Sequence, residues 1–221
     1  MKKFVSLLLA MLMVLSLVAC GGDGGQSNTN SGDKVIKIGV FEPLSGDSAS
    51  GGKKEVLGMQ YANSETPTVE LNGETYKVEL VLSDNGSTTD KAPSAASDLV
   101  SKGVSLVLGT YGSGAAMAGG PKFGQAGIAA IGVTCTNPNV TAGNDYYFRI
   151  CFLDNFQSAV LSNFAKDKFA AKTAYCLGEN GNEYDQGLIS YFTKVFKAAG
   201  GTVITDSFPT NNSDFTTYLN K

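Results

Sequence analysis

The chain has 221 residues, 17 of them basic and 20 acidic, with no histidine and a net charge of −3. This balance, with Arg149 the only arginine, argues against a basic nucleic-acid surface. The lack of histidine removes the usual base behind a serine or cysteine nucleophile, and the lack of any CxxC or histidine pair leaves no zinc signature.

Met1–Ala19 opens with Lys2 and Lys3 and runs apolar from Phe4 to Val18 except for Ser6 and Ser16. That is the layout of a secretory signal peptide, shorter than a membrane span requires. Leu17-Val18-Ala19-Cys20 resembles a bacterial lipobox, which implies cleavage before Cys20 and lipidation of its thiol. Residues 20–34 are expected to be the lipidated cysteine and a flexible tether of Gly, Ser, Asn, Asp and Thr with one Gln and Lys34 at its end. Beyond Cys20 the cysteines are Cys135, Cys151 and Cys176, an odd number that argues against a full disulfide framework. They read as free thiols buried in or beside strands, with a Cys135–Cys151 bridge as the alternative.

From Val35 the pattern alternates strand and helix. Val35–Phe41 is a strand and Glu42–Asp47 a turn. Gly52–Asn63 is a helix, and Asn72-Gly73 joins Val69–Leu71 to Tyr76–Leu82 as a hairpin. Asp90–Lys102 is a helix with Pro93 in its first turn and Gly103 as its stop. Val104–Leu108 is a strand that ends in Gly109-Thr110-Tyr111-Gly112-Ser113-Gly114 and opens a helix from Ala115 to Gln125. That helix is so rich in Ala and Gly that it must pack very close or be marginal. Ile128–Val133 is a strand, Asn137–Asn139 a loop and Tyr146–Leu153 an extended connection. Asp154 and Gln157 have capping-box spacing ahead of an apolar stripe of Phe156, Val160, Leu161 and Phe164. Thr173–Leu177 and Thr202–Asp206 are strands around a helix marked by Leu188, Ile189, Phe192, Val195 and Phe196. Ser213-Asp214 starts a further helix that is unfinished at Lys221, so the second lobe is expected to be truncated, with apolar surface exposed.

Short connections between alternating elements predict right-handed βαβ units and mainly parallel sheets. In such sheets small ligands bind at the carboxyl edge. A strand running through glycines into a helix presents backbone N–H groups and the Ser113 hydroxyl at that edge, a cradle for an anion. Thr134 and Thr136 are two apart in an extended segment and face one side. Neither Gly112-Ser113-Gly114 nor Gly178–Asn182 matches a nucleotide-binding fingerprint. Cys135 has no visible base or device to lower its pKa, so the chain reads as a binder and not an enzyme.

Several stretches in this order resemble type I periplasmic-binding proteins for branched-chain amino acids. They are Lys37–Val40 with Pro43–Gly46, Gly58 with Ala62, Asp84-Asn85, Gly109 with Gly112-Ser113, Thr134–Pro138, Arg149 with Asp154 and Gln157, and Glu183-Tyr184 with Gly187. The resemblance implies an α/β, two-lobed fold with parallel sheets flanked by helices. Lobe one is residues 35–154 and the partial second lobe residues 155–221. It also implies that Ser113 binds the ligand α-carboxylate, that Thr136 contacts both the carboxylate and the ammonium, and that the Thr134 backbone carbonyl accepts from the ammonium. Tyr184 closes over the ligand from lobe two, with Gly112, Tyr111 and Cys135 on the ligand side. The family's acidic partner for the ammonium is expected beyond Lys221. Where the family often has an aromatic residue in the first loop, this chain has Ala49-Ser50-Gly51-Gly52. Arg149 is expected to make structural hydrogen bonds to loop carbonyls. The function implied is a monomeric solute receptor, lipid-anchored on the extracytoplasmic face of the cell membrane and serving an ABC permease. No cofactor, metal or nucleic acid is expected. Two alternatives stay open: a sensing or adhesion lipoprotein on the same fold, and a binder of amides or urea.

Overall fold

The computed structural model describes residues 34–220; the signal segment, Cys20 and most of the tether lie outside them. Strand β1 (Val35–Glu42) lies at the centre of a six-stranded sheet ordered β2-β3-β1-β4-β5-β6. Its partners are β3 (Glu74–Asp84) and β4 (Leu106–Leu108), both parallel to it. Strands β5 (Ala129–Gly132) and β6 (Tyr147–Arg149) extend the sheet in parallel register. The single antiparallel pair of this sheet is β2 (Thr68–Leu71) with β3, turned at Asn72 and Gly73 with φ of 52° and 77°. Two left-handed residues in succession are what a tight right-twisted hairpin requires. The second sheet is the parallel pair β7 (Thr173–Glu179) and β8 (Thr202–Phe208). Both sheets belong to one compact unit, Asp33–Lys221.

Among the described residues, six helices cover these strands. They are α1 (Ala49–Glu65), α2 (Ala92–Ser101), α3 (Ser113–Ala126), α4 (Asp154–Phe169), α5 (Glu183–Ala198) and the short α6 (Thr216–Leu219). Pro93 sits in the first turn of α2, and Gly103 at φ 69° follows its end. Among the described residues no helix is long and apolar enough to cross a membrane.

Helices α2 and α3 bury the core of the large sheet, with Phe41, Leu99, Val107 and Phe123 fully enclosed. Phe41 and Phe123 meet edge to face with centroids 5.4 Å apart, a favoured aromatic geometry. The small residues of α3 make this approach feasible. A Cβ on Gly119 would lie 2.5 Å from the Phe41 ring, and one on Gly120 would lie 2.7 Å from the Tyr147 ring.

Three local expectations are corrected. Tyr146–Leu153 is not merely a connection, because Tyr147–Arg149 pairs with Ala130–Gly132 as a sheet strand. Residues 137–139 are not an irregular loop, since Pro138–Val140 forms a 3₁₀ turn. Its Asn137 cap accepts from the Asn139 N–H. Asp154 is the first helical residue and Leu153 the N-cap, without a side-chain cap. Helix α4 also turns its polar side inward. Asp154, Ser158 and Ser162 are buried, whereas Phe156, Val160 and Phe164 are 63%, 50% and 52% exposed. The serines let α4 lie close on α5, where the Ser158 hydroxyl donates to the Leu188 carbonyl at 3.1 Å.

Candidate functional site

The strand order reverses at β1, which pairs β3 on one side and β4 on the other. The crevice beyond the carboxyl ends of these strands is the expected ligand position in an open α/β sheet. The structure has a cavity of about 740 Å³ there, lined from both sheets. Tyr111, Gly112, Ser113, Thr134, Thr136 and Tyr184 all line it. Cys135, grouped with them in the sequence, does not. Extended-chain alternation turns it away from Thr134 and Thr136 into the core, where it is fully buried. Burial, with Cys151 nearby, pushes its thiol up to about 12. All three described cysteines are free, Cys135 buried and the other two half-buried.

The loop before α3 is fixed by close contacts. Gly109 has φ 122°, and a Cβ there would lie 2.2 Å from the Phe41 carbonyl oxygen. The Tyr147 hydroxyl donates to the Gly109 carbonyl at 3.0 Å, and Asn85 Nδ2 donates to the Thr110 hydroxyl at 2.7 Å. Gly112, at φ 103°, is the N-cap of α3 and supplies no side-chain cap, so the helix opens on the cavity with its first-turn N–H groups uncapped by side chains. Tyr111 takes up the space the first loop leaves: a Cβ on Gly51 would lie 2.6 Å from its ring. The aromatic wall missing at residues 49–52 is therefore supplied from the next loop.

The loop between β1 and α1 is tied down by Asp84. Its carboxylate accepts from the Leu44, Ser45 and Gly86 N–H groups and from the Ser45 hydroxyl at 2.6–3.2 Å. Partial burial works to raise the Asp84 carboxyl, but these donors outweigh it and hold it below the usual range. The loop after β5 is held by Arg149. Its guanidinium donates to the carbonyls of Cys135, Asn137 and Pro138 and to the Thr141 hydroxyl at 2.9–3.2 Å. Arg149 is thus a structural clamp.

Hydroxyl polarity gives the site its chemistry. Ser113 Oγ accepts the Asn137 N–H at 3.2 Å, which leaves its own hydrogen free to donate. Tyr184 O–H accepts from Gln157 Nε2 at 2.9 Å and likewise keeps its hydrogen. Thr134 donates to Glu55 and keeps lone pairs to accept with. Thr136 Oγ1 is buried and has no partner. It stands near the Asp154 carboxyl without reaching hydrogen-bond geometry. Burial raises that carboxyl, with Thr136 and Arg149 acting the other way. Donors and acceptors therefore face one cavity, walled by the rings of Tyr111, Phe152 and Tyr184.

The opposite wall comes from the turn into α5. Asn182 caps that helix, its side chain accepting from the Tyr184 and Asp185 N–H groups at 3.0 and 3.3 Å. Asn137 Nδ2 donates to the Glu183 carbonyl at 3.0 Å and joins the two walls. Phe152, Gln157 and Glu179 also line the cavity but were not predicted to. The β6 register was the missing signal for Phe152, and Gln157 was assigned to capping instead.

A two-sheet α/β scaffold with a polar, aromatic-walled crevice at its switch point is the setting in which open α/β folds hold small molecules. The periplasmic binding protein profile matches residues 35–221, and the chain belongs to that family. It is 28% identical over 213 residues to a Leu/Ile/Val-binding protein homolog of Brucella melitensis, covering 95% of this chain and 56% of the relative. It resembles the crystal structure of a leucine-binding protein LivK from Thermotoga maritima, with a TM-score of 0.79 and 32% identity over 84% of this chain and 52% of that one. The isoleucine complex of the branched-chain amino acid transporter substrate-binding protein LivJ from Streptococcus pneumoniae gives a TM-score of 0.75 and 31% identity, covering 85% and 53%. The chain spans about half the length of the relatives it matches.

Proposed function

We propose that this chain is the ligand-capturing part of a substrate-binding lipoprotein of an ABC importer, and that its ligand is a branched-chain L-amino acid. One observation carries the reading: a donor set and an acceptor set, with Ser113 and Thr136 buried, meet in a single cavity. A free amino acid is a zwitterion, and burying either charge unpaired costs several kcal/mol. Ser113, the N-terminus of α3 and Tyr184 offer hydrogens to the carboxylate. Thr134, with its backbone carbonyl, offers acceptors to the ammonium, and Thr136 serves either group. Tyr111 and Phe152 flank the side chain. Residues 35–154 form the first lobe and residues 155–221 belong to the second, which closes over the ligand by hinge motion. Cys20 carries the lipid that holds the receptor, as a monomer, on the extracytoplasmic face beside its permease.

Calorimetry on the full-length protein tests this with L-leucine, L-isoleucine and L-valine against urea, acetamide and benzoate. The expected result is a preference for the three amino acids and a loss of at least about 100-fold in affinity for Ser113→Ala/Thr136→Ala, since truncating a partner of a buried charge costs about 2–5 kcal/mol. Unchanged affinity in the double variant refutes the site, and a preference for urea or acetamide refutes the ligand class. Unaffected uptake of the bound amino acid in a deletion strain refutes the coupling to import.

A further inference from the structure

Behind Tyr111 and Thr134 lie two acids that the binding site does not itself use. Glu42 ends β1 and is completely buried. Its Oε2 accepts the Tyr111 N–H at 2.8 Å. Glu55 comes from α1, and its Oε1 accepts the Thr134 hydroxyl. Each carboxyl is left with one buried oxygen and no donor, Oε1 of Glu42 and Oε2 of Glu55. The Glu55 carboxyl is close enough to act directly on that of Glu42. A single proton between those oxygens satisfies both, whereas two bare carboxylates at that distance in a buried setting repel.

We propose that Glu42 and Glu55 share one proton and act as a single positioning unit, bracing Tyr111 and Thr134 against the cavity. This rests on the reading of that cavity as an amino-acid site. Neither acid touches the ligand; one proton bridges the two loops that do. Groups from several elements face the pair. The Thr110 hydroxyl and the Tyr111 N–H come from the loop after β4 and favour charge on Glu42. Tyr147 of β6 interacts with Glu42, and Cys151 beyond β6 interacts with Glu55. Both are weak acids and bring no positive charge. Burial first, then the facing Glu55, pushes Glu42 well above the usual carboxylate range.

The sign follows from linkage. Below the unfolded-state carboxyl pKa, both folded and unfolded chains hold the proton and stability is full. Above it only the folded state keeps the proton, so stability falls with rising pH until Glu42 itself ionises. At that point two like charges part the braces of Tyr111 and Thr134, and ligand capture weakens. Glu42→Gln places an amide N–H where the shared proton sits and holds the geometry at every pH.

Three measurements on the full-length protein test the pair. Difference infrared spectra at neutral pH should show a protonated-carboxyl C=O stretch that Glu42→Gln removes. The fall of Tm from pH 5 to pH 9 should flatten in Glu42→Gln. The L-leucine Kd of the wild type should rise at least about tenfold more towards alkaline pH than that of Glu42→Gln, the two proteins sharing only the rise caused by loss of the ligand's own ammonium proton. A missing stretch, or parallel Tm–pH curves, overturns the shared proton. A Kd–pH profile unchanged by Glu42→Gln overturns the positioning role. If the wild type binds none of leucine, isoleucine or valine at any pH, the amino-acid reading fails, while the infrared and Tm results still decide the pair.

Discussion

Replacing Arg149 by alanine should unfasten the loop that carries Thr134 and Thr136. The guanidinium makes four hydrogen bonds, three to carbonyls and one to the Thr141 hydroxyl. A net hydrogen bond contributes about 0.5–1.5 kcal/mol, and one involving a charged group about 1.5–3 kcal/mol. Arg149 is half-buried, which discounts the upper values, so four bonds suggest a loss of roughly 3 kcal/mol. Arg149→Lys presents a point charge and no planar fork, so it should recover less than half. Thr141→Ala removes one bond of the four and should cost about 1 kcal/mol. Urea unfolding gives these values, with a constant m-value confirming that the comparison is of stability alone. Affinity for leucine should fall with the same ranking, because Thr136 loses its frame. A loss below about 1 kcal/mol in Arg149→Ala, or wild-type behaviour in Arg149→Lys, would refute the clamp.

Gly109→Ala forces a side chain onto a backbone at φ 122° and into the Phe41 carbonyl. Left-handed strain and overpacking together should cost roughly 3 kcal/mol, read as a lowered urea midpoint. Thiol labelling in the native state should modify Cys151 and Cys176 well before Cys135, whose full burial hides it and disfavours the thiolate. Mass mapping of the labelled peptides checks the order, and early labelling of Cys135 would contradict its place in the core.

Much of the scaffold was legible because its punctuation is chemical. Asn72-Gly73, Pro93 and Gly103 mark a hairpin turn, a helix start and a helix stop for reasons internal to those residues. The Thr134/Thr136 spacing carried the site, since alternation in an extended chain does not depend on distant partners. The same alternation buries Cys135. Features set by long-range packing were not readable. Strand β6 is three residues long and exists only because β5 offers it an edge. The apolar stripe of α4 was visible, but its direction was set by two serines against α5. Glu42 looked like part of a polar turn, and nothing near it in sequence announces Glu55 as its partner.

Asn137 has a mechanical consequence. Its backbone N–H bonds to Ser113, its Oδ1 to Asn139, and its Nδ2 to Glu183 on the far wall. Gly187 admits it so closely that a Cβ would lie 2.7 Å from Nδ2. Any movement of the β7–β8 sheet against the larger sheet that keeps this bond must swivel about Asn137. Travel then grows with distance from the pivot. In such a movement Ser113 and Glu183 would stay near their present spacing while the outer rim swung through a wider arc, so the mouth would open more than the floor.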